Sequence, residues 1–520
     1  MDTHNKMSTG LSFQYLKNDL PAGLVVFLVA IPLCLGIALA SGAPLFSGII
    51  AGVVGGIIVA LLSGSSLSVS GPAAGLTVIV LNAITKLGSY EVFLLAVVIA
   101  GALQIILGFM KAGIIAHYFP SSVIKGMLAA IGVILIRKQI GSALGYDTSS
   151  VVSMVSESAI SPYLEWIHYI HPGATIISLI SLVILIVWDR PFLKKYAIFK
   201  FIPSALIVVI AGVFINQVFT SYYPSLALDA NKLVQLPIAT SASGFLQLFT
   251  LPDFSAFSNY EVYVVAITIT IIASLETLLS IEAADKLDPY KRNTPTNREL
   301  KAQGVGNLIS GLIGGLPLTA VIVRTSANIN SGGRTKLSAI VHGLLLFISV
   351  ISIASILNLI PLACLAAILL VIGYKLAKVS LFKSMYKLGW EQFLPFILTI
   401  VAIQFSDLLK GIGFGMIVAL FFILRNNYKR SHHYITEKDS ESEKITIKLA
   451  EDVSFLNKGA IALTLRGLPD NSMVIIDGSV SHNIDLDVLE IINDFKETSK
   501  LKNITLELKN IPAFIGNTGH

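Results

Sequence analysis

The sequence predicts an α-helical, polytopic membrane protein that ends in a small cytoplasmic α/β domain. Of its 520 residues, 54% are hydrophobic and only 13% are charged, a balance that excludes an ordinary soluble core. Apolar runs about as long as a bilayer is thick recur from Leu20 to Leu424. After Arg425 the composition becomes charged and then alternates as it does in soluble domains. We therefore predict a membrane domain followed by a separate tail.

The basic balance of the chain, a formal net charge of +6, does not indicate a nucleic-acid partner. Lys and Arg lie in short loops beside the apolar runs, where they set membrane topology rather than form a basic domain. Cys34 and Cys364 both lie inside apolar runs and indicate neither a disulfide framework nor a metal site. The first apolar run is too long for the core of a signal peptide, so we expect no cleaved signal.

Two broken apolar segments lie at the centre of the predicted membrane domain. GGLPLTAVIVRTSANINSGG, from Gly314 to Gly333, is interrupted by Pro317 and stopped by paired glycines, so only about a dozen of its residues can be helical. SVSGPAAGLTVIVLNAITKLG, from Ser68, is also short and begins around Pro72. A helix that starts at membrane depth presents free N–H groups and a positive dipole end. We predict two half-helices whose starts bind an anion.

The remaining apolar runs fall into two similar halves, each with one broken segment. In each half, one long span follows the broken segment, and a similar run follows that span. This run is PSSVIKGMLAAIGVILI from Pro120 in the first half and PLACLAAILLVIGYKLA from Pro361 in the second. The run from Lys336 to Ile360 is predicted as a single span. We count seven segments in each half, or 14 in all including the two half-helices. Because seven is odd, the second half starts on the opposite side of the membrane from the first, so the repeats are inverted.

These patterns divide the chain into four predicted regions. They are a cytoplasmic N-terminal tail at 1–15, a transmembrane domain at 16–427 with repeats at about 16–220 and about 255–427, a charged linker at 428–444, and a tail domain at 445–520. In the tail domain, short β-rich runs alternate with helical ones, which predicts an α/β unit with a parallel sheet.

The charges of the loops predict that both termini are cytoplasmic. The loops after Trp188, Asp285, Ser331 and Gly373 are basic, whereas the loops predicted on the other side of the membrane are acidic or neutral. Arg137 and Lys138 lie at the wrong end of their span in this scheme.

The motifs of the membrane domain resemble those of the SulP family of anion transporters. The most specific are VAIPLCLGIALASGAP from Val29, SVSGPAAGLTV from Ser68, SLETLLSIEAADKL from Ser274, and the broken segment from Gly314, all in the family's order. The resemblance implies two inverted repeats of seven segments, a C-terminal STAS domain, and an elevator-like movement of one helix group against another. It also implies a homodimer, because the cytoplasmic tail often dimerises in this family.

Within that family the chain is most similar to bacterial members that also occur fused to carbonic anhydrases. This similarity implies a location in the bacterial inner membrane and bicarbonate as the substrate, with sulfate as the next candidate. Leu33 stands where many sulfate-type members have Gln, and Ala73 where a Thr is common. We therefore expect a less polar site that depends more on backbone N–H groups. The STAS-like tail is truncated, because it lacks the usual final helix.

The predicted substrate-binding residues lie at the two half-helix starts. They are Ala73, Ala74, Gly75, Thr77, Thr319, Ala320, Val321 and Arg324. Backbone N–H groups and hydroxyls would replace the water around an oxyanion, and Arg324 would add a full positive charge. The alternatives are that Arg324 snorkels to the surface or pairs structurally, and that the Thr77 hydroxyl bonds back into its own helix.

Glu276 is a second ionisable residue inside a predicted span, where a carboxylate is costly unless it is protonated, paired or holding a cation. The family resemblance marks it as the coupling position. Ser280 lies one turn further along the same face, so the two residues could hold Na⁺, or Glu276 alone could carry a proton. The alternative is a structural pair between Glu276 and Arg324. Beyond this coupling ion we expect no cofactor.

The leading hypothesis is a secondary active transporter of a small inorganic anion. Within transport, the alternatives are a nucleobase or dicarboxylate carrier of the same fold, or an anion channel. The alternative from another class is a membrane-bound regulator that signals through the tail. The sequence shows no nucleophile–base set, nucleotide-binding loop or metal cluster, so we do not expect an enzyme.

Overall fold

The computed structural model describes residues 13–114, 119–146, 170–188, 190, 193, 195, 202–238, 242–406, 408–429, 432–438 and 443–513. In the membrane domain these residues are mostly helical. The elements, in chain order, are α1 (Leu16–Ala40), α2 (Leu45–Leu62), β1 (Ser70–Pro72), α3 (Thr77–Leu87), α4 (Tyr90–Phe109), α5 (Ser121–Leu144), α6 (Pro172–Trp188), α7 (Ser204–Tyr222), α8 (Ala242–Leu246), α9 (Tyr260–Leu287), α10 (Thr296–Leu312), β2 (Leu318–Ala320), α11 (Ile322–Asn330), α12 (Leu337–Ser352), α13 (Ala354–Leu357), α14 (Leu362–Leu376), α15 (Val379–Lys387), α16 (Trp390–Phe405) and α17 (Leu408–Lys429).

The helices confirm a multi-pass membrane protein. Among the described residues, seven helical segments are long and apolar enough to cross a membrane: Leu16–Ala40, Leu45–Leu62, Tyr90–Phe109, Ser204–Tyr222, Tyr260–Leu287, Leu362–Lys387 and Leu408–Asn426. Shorter apolar helices, among them α6, α12 and α16, accompany them. The count of seven segments in each of two inverted repeats stays a prediction.

Both broken segments contain a short strand, and the two strands pair with each other. β1 runs antiparallel to β2, with Ser70 opposite Ala320 and Pro72 opposite Leu318. Every residue of both strands is buried. The pairing satisfies backbone groups that would otherwise lack partners at membrane depth, which is why non-helical chain is tolerated there.

Buried side chains hold β2 from two neighbouring helices. Asn307 on α10 accepts a hydrogen bond from the Leu318 N–H at 2.7 Å and donates one to the Leu318 carbonyl at 3.1 Å. Its amide nitrogen also donates to Gln104 Oε1 on α4 at 2.7 Å. Thr277 Oγ1 on α9 accepts from the Ala320 N–H at 3.3 Å. The strand is thereby fixed to α4, α9 and α10.

Other buried side chains hold the segment that leads into β1. Thr325 Oγ1 accepts from the Val69 N–H at 3.1 Å, and Asn328 donates to the Leu67 carbonyl at 2.9 Å. Both residues lie on α11, the helix that follows β2. Since each broken segment depends on the other for its hydrogen bonds, the two segments form one structural unit.

The structure corrects three details of the sequence prediction. The run predicted as one span from Lys336 to Ile360 is divided, because α12 ends at Ser352 and a separate short helix covers Ala354–Leu357. The second half-helix is nine residues long rather than about a dozen. The predicted linker at 428–444 contains a strand, His432–Lys438.

The chain divides into two compact units, 1–387 with 396–412, and 388–395 with 413–520. The second unit carries the predicted α/β pattern. Its elements are β3 (His432–Lys438), β4 (Glu443–Leu449), β5 (Asp452–Val453), α18 (Lys458–Arg466), β6 (Met473–Asp477), β7 (Asn483–Ile484), α19 (Leu486–Leu501) and β8 (Thr505–Lys509). A four-stranded sheet has the order β3-β4-β6-β8, in which β4, β6 and β8 are parallel and β3 is antiparallel.

The core of this α/β region lies between the parallel strands and the two helices. Ile447 on β4 and Ile476 on β6 are buried against Val488 and Ile492 of α19 and Ile461 of α18. The sheet places alternate residues on its inner face, so the short β-rich runs of the sequence supply a continuous apolar layer.

We expect Asn307→Ala to destabilise the membrane domain. The change leaves the N–H and the carbonyl of Leu318 without partners, at about 1–3 kcal/mol for each buried group. Thermal unfolding of the purified protein in detergent measures the loss. Ser349→Ala is the matched control, because the buried Ser349 hydroxyl donates to the Leu346 carbonyl of its own helix and to no other described residue. Equal melting temperatures for the two variants would contradict the role of Asn307.

Candidate functional site

The pairing of β1 with β2 brings the starts of α3 and α11 to the same place. Each strand leads within a few residues into its helix, through Ala73 after β1 and Val321 after β2, both with extended backbone. The Val321 N–H donates to the Val69 carbonyl at 2.9 Å, which extends the strand pairing by one bond. Because the strands are antiparallel, the helices leave the pair in opposite directions and both direct their positive dipole ends towards it.

At the first helix start, four predicted residues lie together. Ala73 is buried, a 3-10 turn covers Ala74–Leu76 and includes Gly75, and α3 begins at Thr77. The Thr77 hydroxyl is buried and has no hydrogen-bond partner among the described residues. The alternative in which this hydroxyl bonds back into its own helix is therefore not observed. The hydroxyl remains available to a ligand.

At the second helix start, three predicted residues, Thr319, Ala320 and Val321, lie before the helix rather than in it. Thr319 and Ala320 belong to β2, and the Thr319 hydroxyl donates to the Ala320 carbonyl at 3.2 Å. Helix α11 begins at Ile322, and no described backbone group accepts from the N–H of Ile322 or Val323. Sequence reasoning missed these two residues because the strand displaces the helix start beyond Val321.

Glu276 on α9 lies against the first helix start. Its carboxylate lies close to the backbone of Gly75. A Cβ placed on Gly75 would lie 2.7 Å from each carboxylate oxygen, so only glycine allows this approach. Oε2 is buried and has no hydrogen-bond partner among the described residues. The carboxylate thus places a negative charge beside the donors of the first helix start.

Ser280 is buried one turn after Glu276 on the same helix. In the described part of the chain no hydrogen bond joins the two side chains. The structure therefore places the two predicted cation-coupling residues on one face of α9 without linking them directly.

Arg324 is fully buried and does not pair with Glu276. Its Nη2 donates to Cys34 Sγ on α1 at 3.2 Å, while Nε and Nη1 have no hydrogen-bond partner among the described residues. Nη1 lies so close to β1 that a Cβ on Gly71 would be 2.2 Å from it. Neither alternative for this arginine, snorkelling or pairing with Glu276, is observed.

The guanidinium group of Arg324 thus contacts the backbone of β1, one of the two paired strands. A buried, unpaired guanidinium costs several kcal/mol, and such a charge inside a membrane protein commonly marks an ion pathway. Cys34 and Gly71 were not among the predicted site residues. The Gly71-Pro72 pair was a usable signal, because a glycine within a strand allows another group to approach the backbone closely.

Comparison with known proteins identifies the chain's relatives. The profile of the Sulfate permease family matches residues 16–399. Bicarbonate transporter BicA of Picosynechococcus sp. is 29% identical over 422 residues, which cover 80% of this chain and 71% of that protein. YvdB of Bacillus subtilis, provisionally named a sulfate transporter, is 28% identical over 416 residues, covering 80% of this chain and 75% of that protein.

Solved structures give the same fold. The transmembrane domain of a cyanobacterial BicA superposes with a TM-score of 0.66 at 25% identity, covering 79% of this chain and 99% of that one. SLC26A9 superposes with a TM-score of 0.75 over 97% of this chain and 86% of that one, and at 16% identity this likeness concerns the fold alone. The family and these relatives are transporters, not enzymes.

We expect Gly75→Ala to impair transport without unfolding the protein. The added methyl group would force the Glu276 carboxylate away from the first helix start, and such a displacement lowers the uptake rate on the order of tenfold or more. Uptake into proteoliposomes measures the effect. Gly413→Ala is the control, because nothing lies within 4 Å of a Cβ at that position. Equal uptake by both variants would show that the contact between Gly75 and Glu276 is not needed.

We expect Arg324→Met to lower the apparent anion affinity while leaving stability unchanged or raised. Methionine keeps an unbranched, flexible side chain in the core and removes a charge that has no ionic partner, so folding loses no ion pair. The KM for uptake and the melting temperature in detergent, measured on the same preparation, separate the two effects. An unchanged KM with a strongly lowered melting temperature would make Arg324 a structural residue only.

Proposed function

Because this chain belongs to the Sulfate permease family and its relatives are transporters of inorganic anions, we propose that it is a secondary active transporter of bicarbonate, coupled to Na⁺ or to protons. The observation that carries this proposal is the meeting of two helix starts at the β1–β2 pair. Two dipole ends of roughly half a positive charge each converge there and favour an anion.

The chemistry of the site favours bicarbonate over more highly charged anions. The residues at the helix starts are mainly Ala73, Ala74, Ala320 and Val321, whose side chains offer no donors. The available donors are backbone N–H groups and the Thr77 hydroxyl, with the charge of Arg324 beside the strand pair. Such a site suits a small, singly charged oxyanion with hydrogen-bonding oxygens. The similarity to two proteins named BicA supports the same choice.

The position of Glu276 supports coupling to a cation. Its carboxylate lies against Gly75, where its negative charge competes with the anion for the first helix start. A proton or a Na⁺ on the carboxylate removes its negative charge and weakens that competition. The anion then binds more tightly when the cation is bound, which is the coupling that a symporter requires. Ser280 would supply a further oxygen ligand if the cation is Na⁺.

The remaining features of the proposal follow from the predicted topology and the family resemblance. The helices that carry the site move as a group against the other helices in an elevator-like cycle. The chain lies in the bacterial inner membrane with both termini in the cytoplasm, and it forms a homodimer with its STAS-like tail on the cytoplasmic side.

Transport assays with purified protein in liposomes test the proposal. Uptake of labelled bicarbonate, sulfate and a dicarboxylate is compared under imposed Na⁺ or proton gradients, with protein-free liposomes as the control for permeation of carbon dioxide. We expect bicarbonate uptake that one of the two gradients stimulates. Ion currents without a fixed stoichiometry would instead indicate a channel.

Sulfate is the second candidate substrate, favoured by the family description and by the name of YvdB. The same assay decides between the two anions. Gradient-stimulated sulfate uptake that bicarbonate does not inhibit would replace bicarbonate with sulfate and leave the coupling proposal standing.

We expect Glu276→Gln to abolish the response to the imposed gradient while the anion still binds. Glutamine keeps the size of the side chain but cannot carry a proton or neutralise a Na⁺. Gradient-driven uptake and anion-dependent thermal stabilisation are the two readouts. Glu282→Gln is a matched control on the same helix, because Glu282 is exposed and pairs with Lys286 at 2.6 Å. Gradient-driven uptake that persists in a stable Glu276→Gln protein would rule out coupling through this residue.

A further inference from the structure

A cavity of about 480 Å³ lies among α1, α3, α5, α6, α14 and the loop after α7. Part of its lining comes from the end of α1 and from α3, the first half-helix. The rest comes from α5, α6, α14 and the loop after α7. The lining residues used below are Leu81 on α3, Lys138, Gln139 and Ser142 on α5, and Asn231 and Lys232 in the loop.

The cavity carries a positive charge. Lys138 is exposed and has no ion pair among the described residues, so its full charge faces the cavity. Lys232 is three-quarters buried and lies 3.8 Å from Asp229, whose own side chain is 74% exposed and therefore offsets the charge only weakly. Burial, followed by the charge of Lys232, lowers the pKa of nearby His171, so this histidine is neutral at pH 7. The two lysines therefore dominate the local potential.

The cavity also contains an unpaired polar group. Gln139 is 97% buried, and its amide oxygen has no hydrogen-bond partner among the described residues. A buried amide without a partner is uncommon and indicates a ligand or ordered water. That oxygen is an acceptor, suited to a water or to the hydroxyl hydrogen of bicarbonate, whereas Ser142 and Asn231 supply donors for the oxygens of an oxyanion.

The position of the cavity relates it to the helix starts. Leu81 lies one turn after Thr77 on the same face of α3, because residues i and i+4 share a helix face. The cavity therefore begins one helical turn from the unpaired Thr77 hydroxyl. It lies at the end of α5, on the side that the loop charges predict to face away from the cytoplasm.

We infer that this cavity is a second anion-binding site, a vestibule in which Lys138 and Lys232 capture the inorganic anion before it reaches the helix starts. This role rests on the proposed transport of an anion by the chain. A cleft lined by one sign of charge concentrates ions of the opposite sign and raises their rate of entry. The capture role also gives a function to Lys138, whose charge lies at the wrong end of its span for a topology signal.

Transport kinetics test the capture role. The double variant Lys138→Gln/Lys232→Gln is expected to raise the KM for labelled bicarbonate, and for sulfate as second probe, by about three- to tenfold for entry from the cavity side. Vmax and the KM from the other side stay unchanged. Lys86→Gln is the matched control, because Lys86 is also exposed, at the end of α3, but pairs with Glu261 outside the cavity. An unchanged KM, or an equal change in Lys86→Gln, overturns the inference.

Thiol labelling tests the potential of the cavity without transport. Cys34 and Cys364 are buried, so Lys138→Cys introduces the one expected reactive thiol among the described residues. An anionic methanethiosulfonate should react faster than a cationic one, and adding Lys232→Gln should reduce this ratio several-fold. Bicarbonate should slow the labelling. If Lys232→Gln does not change the ratio, the inference is overturned, even if bicarbonate proves not to be the substrate. If the ratio falls as expected but bicarbonate is not taken up, only the proposed substrate is wrong.

Discussion

The pairing of β1 with β2 is the interaction on which the membrane domain depends. Two three-residue strands lie at membrane depth, where each unpaired backbone group costs several kcal/mol, and their mutual pairing removes that cost. Asn307 and Thr277 complete the hydrogen bonds of β2, and residues of α11 complete those before β1. Helices α4, α9 and α10 are thereby tied to a common centre, and both half-helices must start beside it.

The same constraint separates the two buried charges. Glu276 lies against Gly75, at the start of the first half-helix, whereas Arg324 lies against Gly71 in β1. Glycine at both positions lets a charged side chain approach the backbone. With no ion pair between them, each charge keeps its own influence on the helix starts, Arg324 raising the positive potential and Glu276 opposing it. In the coupling that we propose, a cation on Glu276 would remove that opposition. This arrangement gives a physical basis for coupling that a salt bridge between the two would remove.

The vestibule extends this electrostatic picture towards the surface. An anion would pass from two flexible lysine side chains, through the region of Leu81, to backbone donors that are rigidly held. The exposed charge of Lys138 remains hydrated, and such a charge attracts an anion without holding it tightly. Tight, oriented binding then depends on the helix starts, where the donors are already in place.

Composition and local pattern determined much of this protein. The predominance of apolar runs required a multi-pass helical domain, the Gly and Pro interruptions located both broken segments, and the alternation after Lys444 predicted the parallel strands of the tail. These features depend on neighbours in sequence, so a single chain reveals them. Only the tertiary structure decided which distant groups meet. Val69 bonds Thr325 across 256 positions, and Arg324 contacts Cys34 across 290. A helix residue can face any direction until its neighbours are packed, so the sequence alone left open whether Arg324 paired with Glu276. For the same reason, the cavity beside Lys138 became visible only once α1, α3 and α5 were placed together.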